Sequence, residues 1–203
     1  MFAYLIFTII GFVSGSILYA YWIPLIFCNK NVLTASSDGN PGTANAYKAG
    51  GFFTGTAVLI MELLKGLVPV YVASRYTDIT SFFFIPVMIA PVLGHAAPFF
   101  DIQKGGKAIA VSFGVLLGIF PHVRPVLFLA ATYIVFSLVL VVKPHLFRSI
   151  LTFAVFFILT YLFTSAASIK ISCFIISVIV ILKHIKKYHG EKFSLSFLGL
   201  NLI

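Results

Sequence analysis

Charge is scarce in this chain. Asp and Glu together number 5 among 203 residues, Lys and Arg 14, and charged residues make up 9% against 61% hydrophobic. With a mean hydropathy of +1.10, a soluble domain of this size would expose large apolar patches, so a water-soluble globular protein is excluded and an integral membrane protein is implied. Cysteine is nearly absent. Cys28 and Cys173 fall toward opposite faces in the topology derived below, which argues against a disulfide, and no Cys/His spacing suits a metal. No Lys or Arg precedes Lys30, so the first apolar run lacks the positive flank of a secretory signal and is expected to stay as a helix.

Apolar runs occupy 2–27, 51–74, 81–98, 108–121, 126–142, 149–164 and 170–183. Several are short against the roughly 20 residues that a spanning helix needs. The last two cannot be one helix, because 149–183 would rise roughly 50 Å, so a turn is expected at Thr164–Ser168. Seven spans put the termini on opposite sides. The first, third and fifth loops and the C-terminal tail hold most of the basic residues, while the other loops hold Arg75, Arg124 and Lys170. The positive-inside rule then gives the N-terminus out and the C-terminus in. The net charge of +9 is accounted for by this asymmetry and does not call for nucleic acid.

Two glycine-rich stretches share the inner side. Gly39-Asn40-Pro41-Gly42 runs into Thr43-Ala44-Asn45-Ala46-Tyr47-Lys48, a glycine turn opening a helix with Pro41 near its first position. Free amides at such a start form an anion site, and Lys48 is placed to close over it. The second stretch, Gly94-His95-Ala96-Ala97-Pro98 through Lys104-Gly105-Gly106-Lys107, also precedes a helix. It is not a nucleotide P-loop, since Asp101 stands where the first glycine belongs and Ala108 follows the lysine. Each stretch alone also fits an ordinary loop with topology-setting lysines. Together they suggest two phosphate-bearing ligands, or one doubly charged one.

Glu62 and Lys65 lie three residues apart on one helix face inside an apolar run. Ionisable groups at that depth pair or face a hydrated cavity, so the pair reads either as a structural ion pair or as a functional site.

In order along roughly the first 120 residues, these motifs resemble the bacterial membrane acyl-phosphate:glycerol-3-phosphate acyltransferases. Asp38 to Asn45 with Lys48 resembles the family's Ser-Gly-Asn-(Ile/Pro)-Gly-Ala-Thr-Asn and following Arg; Glu62 to Val70 resembles Asp-x-x-Lys-Gly-x-x-Pro-Val. Pro91 to Pro98 and Lys104 to Ala108 resemble Pro-x-x-Gly-His-x-x-Pro and Lys-Gly-Gly-Lys-Gly, and Gly15-Ser16-Ile17 resembles Gly-Ser-Ile-Pro with Leu18 for the proline. Farther on, Lys143 to Ile150 is similar to the family's Arg-Tyr-x-Ser-x-x-Ser-Ile, keeping the second serine as Ser149, and His184 matches a C-terminal histidine. Asp38, Lys48, Ala108, Leu146 and Lys187 depart from the pattern.

The resemblance implies an all-α fold of seven transmembrane helices in a single domain, 1–203, in the bacterial inner membrane with its active loops in the cytoplasm. It also implies acyl transfer from acyl phosphate to glycerol 3-phosphate for phospholipid synthesis, with membrane lipids as surroundings and no metal or nucleotide cofactor. On that reading Gly39, Gly42, Thr43 and Asn45 hold acyl phosphate. Lys48, Lys104, Gly105, Gly106, Lys107, Ser149 and His184 hold glycerol phosphate, and Asn40 belongs with the catalytic group. Asp38, His95 and the acceptor's own phosphate are the candidate bases. A small transporter with Glu62 and Lys65 at a midplane site, or an altered family member that binds lipid phosphate, are the other readings.

Overall fold

The computed structural model describes residues 1–36, 39–101, 104–186, 188, 190–197 and 200–201. The chain is mostly helical. Its elements are α1 (Phe2–Ser16), α2 (Tyr19–Cys28), α3 (Val32–Ala35), α4 (Thr43–Tyr76), α5 (Phe84–Ala96), α6 (Ile109–Gly118), α7 (Arg124–Ile134), a π turn (Val135–Val139), β1 (Leu140–Lys143), α8 (His145–Phe163), α9 (Ala167–Ile185), β2 (Ser194–Phe197) and β3 (Leu200–Asn201). By length and composition α4, α8 and α9 can each cross a membrane, and α1 with α2 makes a fourth span if that pair, bent by 40°, counts as one. Helices α5, α6 and α7 with its π turn are apolar but shorter.

Three expectations change. The first apolar run is not one helix: it breaks at Ile17–Leu18, where no Gly or Pro marks the stop. The run 126–142 does not end as helix, because α7 loosens into the π turn and then the strand β1. The fold is also not wholly helical. β1 pairs antiparallel with β2, and β2 with β3, so the C-terminal tail is stitched to the segment before α8.

Small residues set the helix spacing. A Cβ at Gly114 would lie 2.1 Å from the Leu63 carbonyl, and one at Gly66 2.5 Å from that of Val111. These glycines let the α4 and α6 backbones touch, a small-residue contact of the kind that substitutes for hydrophobic drive inside lipid. Gly15 against the Pro91 carbonyl does the same for α1 and α5. The resulting core joins α4, α5, α6, α8 and α9 through Val70, Phe84, Met88, Val111, Phe153 and Ile176.

The two ends of the bundle differ. At the end holding the α4–α5 and α6–α7 turns, Arg75 donates to the Phe120 carbonyl (3.2 Å) and Arg124 to the Phe163 carbonyl (3.1 Å). Both cations thereby satisfy carbonyls at or just past helix C-termini. At the opposite end the α4 start, the α5 end, the α6 start and the α8 start surround a cavity.

Candidate active site

α4 starts the site. Gly42 is its N-cap and has no side-chain cap, so the first-turn amides of Thr43 and Ala44 lack a helical carbonyl and the positive end of the dipole is exposed. Pro41 thus lies before the cap and not at the first helical position. Gly42 donates to the Asn40 carbonyl (2.9 Å), and Asn45 Nδ2 donates to the same oxygen (2.9 Å), which folds the turn back on the helix. Gly39 enters it at φ 54, in the left-handed region.

These groups face a cavity of about 710 Å³. Of the residues singled out from sequence, Asn40, Gly42, Thr43, Asn45, Lys48, Glu62, His95 and Lys107 line it. Its other wall is apolar, with Leu59 and Leu63 from α4 and Phe113 and Leu117 from α6. A polar mouth rich in amides and ammonium groups, continuous with a greasy slot between two helices, suits an amphiphile with an anionic head.

Other expected residues stand apart from the lining. Lys104 is exposed, pairs with Asp101 at 3.1 Å, and sits 5.9 Å from the Tyr21 ring centre. Gly105 and Gly106 pack the loop onto the end of α5: a Cβ on Gly105 would meet the Ala96 carbonyl at 1.9 Å, and the Gly106 amide donates to the His95 carbonyl at 3.0 Å. Gly39 is not in the lining. Asp38 lies outside the described residues, as does Lys187.

Ser149 and His184 are buried behind the wall. Tyr133 Oη donates to Ser149 Oγ (3.1 Å), which lies 3.4 Å from His145 Nδ1, and the His145 ring stacks on that of His184 with centroids 5.8 Å apart. His184 Nδ1 donates to the Val180 carbonyl at 2.8 Å. It is His145 that reaches the cavity, with Pro144, Leu146 and Glu191. His145 sits in the stretch already matched to the family, yet the motif pointed to Ser149; Glu191 arrives on the tail that β2 holds against β1.

Glu62 and Lys65 form an ion pair of 2.7 Å, and both are buried. Lys65 Nζ also donates to the Ile17 carbonyl (2.7 Å), and the Ala20 amide donates to Glu62 Oε1 (3.3 Å). The pair therefore supplies partners to backbone groups on both sides of the α1–α2 break. His95 Nδ1 lies 2.7 Å from Lys65 Nζ and 3.1 Å from Glu62 Oε2. The pair is therefore bonded closely into the protein, while Glu62 and His95 also line the cavity.

The glycerol-3-phosphate acyltransferase family pattern matches residues 5–190. A glycerol-3-phosphate acyltransferase of Streptococcus equi subsp. equi is 36% identical over 209 residues, covering 95% of this chain and 92% of that protein. One of Lactococcus lactis subsp. lactis is 34% identical over 220 residues, covering 100% and 97%. Among solved structures, an integral membrane glycerol 3-phosphate acyltransferase in its glycerol 3-phosphate form superposes with a TM-score of 0.79 at 25% identity, over 90% of this chain and 88% of that one. Its lysophosphatidic acid form gives a TM-score of 0.73 over the same shares.

Proposed function

The chain belongs to the glycerol-3-phosphate acyltransferase family, and on that premise we propose how it acts: it transfers an acyl group from acyl phosphate to the 1-hydroxyl of glycerol 3-phosphate, giving lysophosphatidic acid and phosphate. The enzyme is an acyltransferase of phospholipid synthesis in a multi-pass membrane protein. The observation that carries the donor and the site is the cavity itself, in which the α4 N-terminus, Lys48 and Lys107 meet an apolar wall of Leu59, Leu63, Phe113 and Leu117.

Acyl phosphate is a mixed anhydride and already activated. The acceptor oxygen attacks the acyl carbon, the bond from that carbon to the phosphate oxygen breaks, and phosphate leaves with the electron pair. The protein has to position two anions and stabilise charge, with no covalent nucleophile required. The Thr43 and Ala44 amides with Asn40 and Asn45 hold the acyl-phosphate group; Lys107 and Lys48 hold the glycerol phosphate; the α4–α6 slot takes the first part of the acyl chain. His145 completes the wall of the cavity, backed by Ser149 and His184. Lys104, with Gly105 and Gly106, shapes the loop that presents Lys107. The hydroxyl proton passes to Asp38 or to the acceptor's own phosphate.

The seven apolar segments form seven spans, the three short helices crossing in a thinned or tilted arrangement, with the active loops in the cytoplasm and the chain in the bacterial inner membrane. Support comes from the charge asymmetry: Lys48, Lys104, Lys107, Lys143 and Lys183 gather at the cavity end. The donor is tested with purified protein in lipid and labelled glycerol 3-phosphate. Product from palmitoyl phosphate but not from palmitoyl-CoA supports the proposal, and product from palmitoyl-CoA alone refutes it.

A further inference from the structure

We propose that Lys65 fixes His95 as its Nε2–H tautomer, and that His95 therefore serves as a hydrogen-bond donor to the phosphate of glycerol 3-phosphate and not as the base that takes the acceptor's proton. The role toward phosphate rests on the acyltransferase reading above; the tautomer does not.

An ammonium group has three protons and no lone pair. Lys65 Nζ meets three partners, Glu62 Oε2, the Ile17 carbonyl and His95 Nδ1, each at 2.7 Å. Of these, the Glu62 contact is an ion pair, and the Ile17 carbonyl and His95 Nδ1 are the hydrogen-bond partners. A ring nitrogen 2.7 Å from a group that can only donate has to be the acceptor, because an N–H there would aim one proton at another. Glu62 Oε2, 3.1 Å from the same Nδ1, is the longer contact and is ion-paired with Lys65. With the Nδ1 lone pair used, the neutral ring carries its proton on Nε2.

The Nε2 edge is placed by its neighbours. A Cβ at Gly106 would lie 2.2 Å from His95 Nε2, so the Nε2 edge rests on the loop that leads directly to Lys107. His95 and Lys107 line the same cavity. An anion held by Lys107 meets the Nε2–H from the side, and a substrate hydroxyl meets no lone pair on this ring. The Ile17 carbonyl reaches Lys65 because α1 stops there, so the helix break, the ion pair and the histidine form one device. Lys183 also faces this corner and donates to the Ala96 carbonyl at 2.7 Å.

The test uses the full chain in lipid nanodiscs with ¹⁵N-labelled histidine, the His95 signals being assigned by their loss in His95→Gln. Nε2 is expected to be the protonated ring nitrogen and Nδ1 the bare one, the preference to be lost in Lys65→Met, and the Nε2–H signal to move as glycerol 3-phosphate is added. A proton on Nδ1, or on both nitrogens, in the unaltered chain overturns the proposal. So does an Nε2–H signal that stays still while glycerol 3-phosphate moves others. Activity gives a second arm. Gln carries an amide N–H to the Nε2 position and Asn reaches only Nδ1, so His95→Gln should keep turnover within about tenfold while His95→Asn falls about a hundredfold, the usual loss for one charge-stabilising donor. Equal losses in the two variants argue for a base and overturn the donor role. A chain that shows the Nε2–H spectrum but makes no lysophosphatidic acid overturns the acyltransfer reading while leaving the tautomer in place.

Discussion

Lys65 Nζ donates across 2.7 Å to the carbonyl oxygen of Ile17, so a charge from within α4 adds a donor to a carbonyl that also accepts the Tyr19 amide (3.2 Å) where α1 stops. The Glu62 carboxylate accepts the Ala20 amide on the far side of the break. Removing one member of a buried pair is worse than removing both, because the survivor is left charged without a partner. Lys65→Met is expected to lower stability by about 3–5 kcal/mol, and Glu62→Gln added to it should recover part of the loss. Thermal unfolding in detergent measures both; a Lys65→Met variant that melts with the parent contradicts the bracing role.

Ala108 offers the opposite sign. It caps α6 in the left-handed region at φ 61, where a Cβ costs about 1–2 kcal/mol. The related family pattern has glycine there. Ala108→Gly is therefore expected to stabilise the protein by up to about 1 kcal/mol, part of the relieved strain being offset by the freer unfolded chain. A fall in melting temperature would contradict this account of the loop.

The turn between α4 and α5 carries a pH dependence. The Asp78 carboxylate accepts the Thr80 hydroxyl at 2.7 Å and the Thr80 amide at 2.8 Å. These bonds, the hydroxyl's first, hold its carboxyl below the usual carboxylate range. A carboxyl lowered in the folded state adds stability above its unfolded pKa, and that contribution is lost as pH falls through the folded value. Acidification should lower the protection of the amides of residues 78–81, measured as exchange relative to the intrinsic rate at each pH, and Asp78→Ala should show the lower protection already at neutral pH. Protection in the parent that does not respond to acid contradicts the assignment.

How much of this was legible beforehand follows the range of the interactions. The α4 start could be read because glycine, proline and the first-turn residues act within a few positions of one another. Glu62 and Lys65 could be paired by helix spacing, but the partners that decide their role, Ile17, Ala20 and His95, come from two other segments. The break at Ile17–Leu18 has no local marker, since Leu18 occupies the place where the family pattern has proline. The pairing of 140–143 with 194–197 joins segments some fifty residues apart, and the alternation of β2 is too short to stand out in a tail. The motif names Ser149 and not His145, and only the packed helices show which side chain faces the cavity. Among the lysines, spacing alone treated Lys104 and Lys107 alike; the fold turns one to Asp101 and the other to the cavity.

That contrast tests the central claim, that the cavity between α4 and α6 is where acyl transfer occurs. The measurement is lysophosphatidic acid formation from palmitoyl phosphate and labelled glycerol 3-phosphate by the parent, Lys107→Ala and Lys104→Ala. The account predicts a loss of about a hundredfold or more for Lys107→Ala and a change within about threefold for exposed Lys104→Ala, whose surface pair is worth at most about 1 kcal/mol. Full activity in Lys107→Ala, in a chain that otherwise makes product, would contradict the placement of the reaction in this cavity.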